Sequence, residues 1–317
     1  VVPGERRVID RLLPALASAM NRTPTGVQRA YGDLSNRILD SSTVYRDMRT
    51  SLGEMGAALM RFDQPPRSET EERLHRLASG LRPWTAPGLS LERIGGDGDG
   101  AYVMADPSGS AGALSIGVGH DVSWDIAVTA RGVPVAMFDP TVSSPPTEVP
   151  GGRFFPVGLG PSRPTSTAPL DGLDLRPLDE LREMAGLADS DDLVLKVDIE
   201  GGEWVALEGV SFAPFRQVAL ELHDIDGLAD QRRADAMLAV VDALATTHLP
   251  VHVHANNERP FRRFDGIWFP EVIEATFVRR DLMPQARPAD ALVTALDRAT
   301  NPRFPDYDLS GILTAPA

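Results

Sequence analysis

Short apolar runs that each stop at a glycine or an ionisable residue restrict the fold of this chain more than any other feature. Ala113-Leu114-Ser115-Ile116 runs into Gly117-Val118-Gly119, and Val133–Phe138 ends at Asp139. Leu193–Val197 ends at Asp198, and Gln217–Leu222 ends at His223-Asp224. Runs this short and this rich in Val, Leu and Phe suit strands buried on both faces. Further strand patterns lie in Arg153–Val157 and Val251–His254. Helical patterns fall between the strands, at 177–185, around Trp204–Leu207, and in the amphipathic stretch Ala229–Thr247. Such alternation implies βαβ units and a mostly parallel sheet with right-handed crossovers. The last two strand patterns, 266–269 and 274–278, are too close in sequence for a crossover and predict an antiparallel hairpin. The expected fold is therefore α/β and Rossmann-like, closed by a terminal antiparallel hairpin.

The flanking regions read differently. Val8, Leu12, Leu13, Leu16 and Met20 recur at helical spacing, and Val27–Leu39 and Met48–Leu59 continue the pattern. Pro65-Pro66 interrupts it, and Ser68-Glu69-Thr70-Glu71 opens one more helix that ends near Gly80. Residues 1–85 are thus expected to form a helical cap or an arm for homo-oligomer formation. Residues 86–285 form the α/β domain, and 286–317 supply a helix over Pro288–Ala299 and a Pro-rich tail.

Composition excludes several roles. The formal net charge of −14 repels phosphate backbones, so nucleic acid and anionic membrane are poor partners. No apolar run approaches the roughly 20 residues that span a bilayer. The absence of cysteine excludes disulfides, thiolate zinc sites and cysteine nucleophiles, and agrees with a reducing cytoplasm. The N-terminal residues show no apolar core of a signal peptide, which also points to the cytoplasm.

The polar strand ends carry the chemistry. Glycines at 117 and 119 permit a tight turn and a close approach of backbone to a ligand, although Val122 stands where a third dinucleotide glycine belongs. Asp139 follows about 20 residues later, where an acid can accept from both hydroxyls of a ribose. Together they place a nucleoside site at one sheet edge. Asp198-Ile199-Glu200-Gly201-Gly202-Glu203-Trp204 puts Asp198 and Glu200 on one face by strand alternation; the plainer reading is an acid capping the helix that carries Trp204. Glu221 and His223 also share a face, and an imidazole there suits general-base work or a divalent metal. His252 and His254 have a spacing found in metal sites, but a polar strand face explains them as well. Asp97-Gly98-Asp99-Gly100 opens like a calcium loop, yet Ala101 and Ser108 occupy ligand positions, so it reads as a turn.

Three segments together resemble the FkbM-like methyltransferases: Arg93-Ile94-Gly95…Asp99-Gly100-Ala101-Tyr102-Val103, Ser115–Trp124, and Leu195-Lys196-Val197-Asp198-Ile199-Glu200-Gly201-Gly202-Glu203-Trp204. The resemblance covers about 90–280, and the last segment is its most specific part. It implies a class I methyltransferase sheet that binds S-adenosylmethionine. By position, Gly117 and Gly119 would line the methionine part, with Tyr102, Asp121 and Ser123 beside it. Asp139 would hold the ribose, and Asp198 would lie near the reactive methyl. Similar macrolide-sugar enzymes hold a divalent cation at the ends of strands four and five, which implies magnesium or another such ion on Asp198, His223 and Asp224. His223 stands where those enzymes would have an acid.

The expected activity is O-methylation of a small-molecule hydroxyl, on a sugar or polyketide of secondary metabolism, with Asp198, Glu200 and His223 as the catalytic group. The sulfonium is already activated, so the protein must position the oxygen and remove its proton, by a base or by a metal that lowers the hydroxyl's pKa. Two other classes share part of the pattern. A nicotinamide-dependent oxidoreductase would share the glycine loop and Asp139, and a degenerate Rossmann-like domain would serve assembly alone.

Overall fold

The computed structural model describes residues 65–98, 100–162, 172–259, 261–265, 267–292, 295–302, 306–309 and 313. The helical patterns within residues 1–64, and Asp99, lie outside these. Seven strands form the central sheet: β1 (Gly112–Ile116), β2 (Val135–Phe138), β3 (Gly152–Phe155), β4 (Leu193–Val197), β5 (Phe215–Leu222), β6 (His248–Ala255) and β7 (Ile273–Arg279). Their order is β6-β7-β5-β4-β1-β2-β3. The pairs β4–β5, β4–β1, β1–β2 and β2–β3 are parallel, whereas β7 runs antiparallel to both β5 and β6. The sheet is thus mixed α/β, mostly parallel and compatible with a Rossmann-like fold.

The antiparallel element differs from the expected hairpin. Ile267–Pro270 does not pair with β7 but with Phe261–Phe264, in a separate two-stranded ribbon between β6 and β7. β7 then inserts between β5 and β6. A turn at Asp265 closes that ribbon first, and the next turn, Glu271-Val272, sends β7 back into the main sheet.

Helices cover both faces. α1 (Glu69–Leu81) starts at Ser68, whose hydroxyl accepts from the Glu71 amide, and Glu69, Glu71 and Glu72 complement the positive end of the helix. Its buried residues Leu74, Leu77, Ala78 and Leu81 follow helical spacing and pack in one core with α3 (Leu178–Ala185), α4 (Glu203–Ala206) and α5 (Gln231–Thr247). This helix therefore shares the core of the α/β sheet. On the opposite face, α2 (Ser123–Thr129) joins the hairpin of Leu91–Ile94 and Tyr102–Ala105, with Trp124, Met104 and Tyr102 buried against β1, β2 and β4. Trp124 Nε1 donates to Met104 Sδ at 3.3 Å.

The C-terminal stretch is the largest departure from the pattern. No described residue of 288–299 is helical; Arg287–Pro288 instead pairs with Trp84–Thr85. The reason lies in what the tail must satisfy on β6. His252 Nε2 meets Asp297 at 2.8 Å, and His254 Nε2 meets Asp306 at 2.8 Å. Asn257 and Asn301 exchange two hydrogen bonds, and Leu309 and Leu313 enter the main core. The two histidines are thus anchor points for the tail, as a polar strand face.

His254 also faces Glu274 at 3.2 Å. Burial works against its charge, yet the bonds to Asp306 and Glu274 outweigh that and push its pKa up to about 10. A raised pKa means that its stabilisation is complete below the ordinary value of 6.5 and fades as pH climbs toward 10. Chemical denaturation of wild type and Asp306→Asn should show the wild-type advantage shrinking across that range. An advantage that is flat or growing with pH contradicts the assignment.

Candidate functional site

Strand order reverses between β1 and β4, and in open α/β sheets ligands gather at the carboxyl ends beside such a reversal. The two loops there touch. Gly117 takes φ +81°, and a Cβ on it would lie 1.5 Å from the Asp198 carbonyl oxygen. Its amide donates to Phe138 O, while the Asp198 amide donates to Ile116 O, both at 2.9 Å. Glycine at 117 is thus demanded twice, by backbone angle and by contact.

Asp139 lies where expected, but it faces the loop. Its Oδ2 accepts from the amides of Val118 at 3.0 Å and Gly119 at 2.8 Å. Its Oδ1 accepts from the Thr141 amide and hydroxyl at 2.8 and 2.6 Å. Burial disfavours its charge, but the Thr141 hydroxyl and these amides outweigh that and hold its pKa below the ordinary value. Asp121 Oδ1 accepts from the Ser123 amide, and Ser123 Oγ accepts from the Gly96 amide at 2.8 Å. That bond brings a second glycine-rich segment, 95–98, alongside the first, with Arg93 bonded to the carbonyls of Gly96 and Gly98. Tyr102 is buried, its ring centre 5.9 Å from Lys196 Nζ. Of the residues expected at the cofactor, Gly117, Gly119, Asp121, Ser123 and Asp139 are gathered at one sheet edge, whereas Tyr102 sits in the core beneath.

On the other side of the reversal, β4 ends at Val197, so strand alternation does not govern Asp198 and Glu200. Glu200 instead takes a left-handed backbone, φ +56°, and is exposed. It still reaches His223, with Oε2 3.5 Å from Nε2. Asp224, expected as a ligand beside Asp198 and His223, is not in that group: its backbone is left-handed, φ +54°, and its carboxylate pairs with Arg233 at 3.2 Å. Glu203 takes its place. Among the described residues, Asp198, Glu203 and His223 form the one acid–histidine group with ligand atoms within 4.8 Å of one another.

Glu203 opens α4 and is fully buried. Its Oε1 accepts from the amides of Ile199 at 2.9 Å and Gly201 at 3.3 Å, and faces His223 Nδ1 at 3.1 Å. Its reach back to amides ahead of the helix is that of a cap, and the His223 contact adds a second role. The spacing of Glu203 from the strand end carried no sign of that contact, because it arises only where β5 lies beside β4. Trp204 Nε1 donates to the His223 carbonyl at 2.6 Å and fixes the backbone there.

A carboxylate accepts only, so the proton of neutral His223 sits on Nδ1 and Nε2 keeps its lone pair. Nε2 faces Glu200 and, at 3.9 Å, Glu221, whose Oε1 is held by Asn256. Burial lowers the imidazole's pKa, but Glu203, then Asp198 and Glu200, outweigh it and raise the value above 6.5. The result is an oriented and strengthened base. No protein-family model, curated protein or solved structure matches this chain.

Two outcomes are expected. Gly117→Ala should destabilise the fold by about 2–4 kcal/mol, against about 1 kcal/mol for Gly119→Ala, whose Cβ meets nothing within 4 Å. Equal denaturation midpoints for the two variants contradict the close contact. The His223 imidazole should titrate above 6.5 by NMR, and Glu203→Gln should move it down. A titration unmoved by that substitution removes Glu203 as its partner.

Proposed function

We propose that this chain is an S-adenosylmethionine-dependent O-methyltransferase acting on a hydroxyl of a small molecule. The observation that carries the reading is the Glu203–His223 pair, which opens at the sheet edge that also bears the glycine loop. The acceptor oxygen attacks the methyl carbon as the carbon–sulfur bond breaks, and the hydroxyl proton passes to His223 Nε2. Glu203 holds the ring and stabilises the imidazolium that forms. Asp198 and Glu200 supply negative charge suited to a cationic donor. A sugar or polyketide hydroxyl, weakly acidic, needs such a base.

The sheet favours this class over a nicotinamide oxidoreductase. A dinucleotide-binding sheet of this kind has six parallel strands, whereas here an antiparallel strand lies between β5 and β6, and Val122 replaces the third glycine.

A second reading rests on the acid–histidine group. With Glu203 oriented on Nδ1, His223 Nε2 and the Asp198 carboxylate remain to hold a divalent cation, and a carboxylate behind a ligating histidine is a common support in metal sites. Magnesium, or a softer ion given the imidazole, would lower the acceptor hydroxyl's pKa.

S-adenosylhomocysteine at about 100 times its Kd should stabilise the protein by roughly 2.7 kcal/mol, read as a raised melting temperature, while NAD and NADP do nothing. Activity should persist in EDTA and fall about 100-fold or more in His223→Ala. No binding of S-adenosylhomocysteine ends the methyltransferase reading. Activity lost in EDTA and restored by magnesium selects the metal.

A further inference from the structure

Lys196 is the buried charge that the functions above leave unused. It lies on β4, two residues before Asp198, and is almost wholly enclosed. Its Nζ donates to the Gly117 carbonyl at 2.7 Å and sits 3.9 Å from Asp198 Oδ2, with the Tyr102 ring on another side. Asp125, also buried on α2, has an Oδ1 with no hydrogen-bond partner. Burial raises the Asp125 pKa and the charge of Lys196 opposes the rise, so the two groups feel one another.

An ammonium removed from water carries a large desolvation penalty unless it is hydrogen-bonded and paired. A methionine would fill the same space on this strand at no such penalty. What the ammonium adds is a charge-assisted bond to one carbonyl of the glycine loop. That bond acts at the point where Gly117 meets the Asp198 backbone, so the same side chain reaches both halves of the crevice. From the opposite side Asp139 grips the amides of Val118 and Gly119. The loop is thus held by a cation on its carbonyl and an anion on its next two amides.

We propose that Lys196 is a positioning residue that sets the glycine loop against Asp198 and so shapes the methyl donor's seat before the donor arrives. The proposal deepens the methyltransferase reading and rests on it for the identity of the ligand. Its first test is independent of that ligand.

Native-state hydrogen exchange on the ligand-free protein compares wild type with Lys196→Met. A lost charge-assisted bond should speed exchange at Val118 and Gly119 about tenfold or more, while the β5 amides keep their protection. Unchanged loop protection, or an equal loss throughout the sheet, overturns the proposal. If Lys196→Met does not fold, the wild-type ammonium answers by NMR. Its protons should exchange slowly and couple to the Gly117 carbonyl carbon, and solvent-rate exchange would overturn the assignment. With methyl donor, Lys196→Met should raise the donor's KM about tenfold and leave the acceptor's KM in place. A rise confined to the acceptor's KM also overturns it. Failure to bind any S-adenosyl compound would remove the methyltransferase reading and leave the exchange result standing.

Discussion

The contact between Gly117 and the Asp198 carbonyl is the constraint on which the site depends. It closes the gap between β1 and β4 at the strand-order reversal, where neighbouring loops would ordinarily part and leave a crevice. Because the backbones already touch, only side chains and loop edges remain to define a binding surface. The glycine loop is then presented on one side and the Asp198–Glu203 turn on the other. Three hydrogen bonds maintain the junction: Asp198 amide to Ile116, Gly117 amide to Phe138, and Lys196 to the Gly117 carbonyl. The first two extend the parallel ladder beyond the strands, so the junction inherits the rigidity of the sheet.

Glu203 performs the same task for the second half. A fully buried carboxylate is costly unless its lone pairs are used; here Oε1 gathers two amides of its own turn and the imidazole of the neighbouring strand, while Oε2 has no hydrogen-bond partner among the described residues. The turn following β4 is thereby tied to the end of β5. Glu200, in a left-handed conformation on that turn, is placed in reach of His223 by the same folding of the backbone. Asp224, on the turn after β5, has nearly the same left-handed angle, and its carboxylate pairs with Arg233. One backbone conformation at two different strand ends thus leaves one acid in reach of His223 and the other on Arg233.

Much of the sheet was legible because its strands are buried on both faces and therefore apolar without interruption. β1, β2, β4 and β5 announce themselves in this way, and the residues that end them are those that gather at the edge. The ribbon of Phe261–Phe264 and Ile267–Pro270 departs from the expected hairpin because proximity in sequence favours pairing with β7, whereas a nearer partner lies on its other side. The helix expected over Pro288–Ala299 failed for a different reason. Its Asp297 is drawn to His252, a contact between distant parts of the chain that no local periodicity can register. Glu203 was visible as a residue and not as a partner, since the contact to His223 exists only once β4 and β5 lie side by side. Alternation placed Asp198 and Glu200 correctly near the edge but for a wrong reason, because the strand had already ended.

Asp139 shows how a single residue can hold a loop. A carboxylate offers about four lone-pair positions, and here Val118, Gly119 and the amide and hydroxyl of Thr141 occupy them. An amide left buried and unpaired costs about 1–3 kcal/mol, so these bonds hold the loop in one shape. Asp139 grips it from the end of β2 and Lys196 from β4, the two strands that flank β1. The shape of the glycine loop is therefore set by both neighbours of its own strand, through side chains of opposite charge.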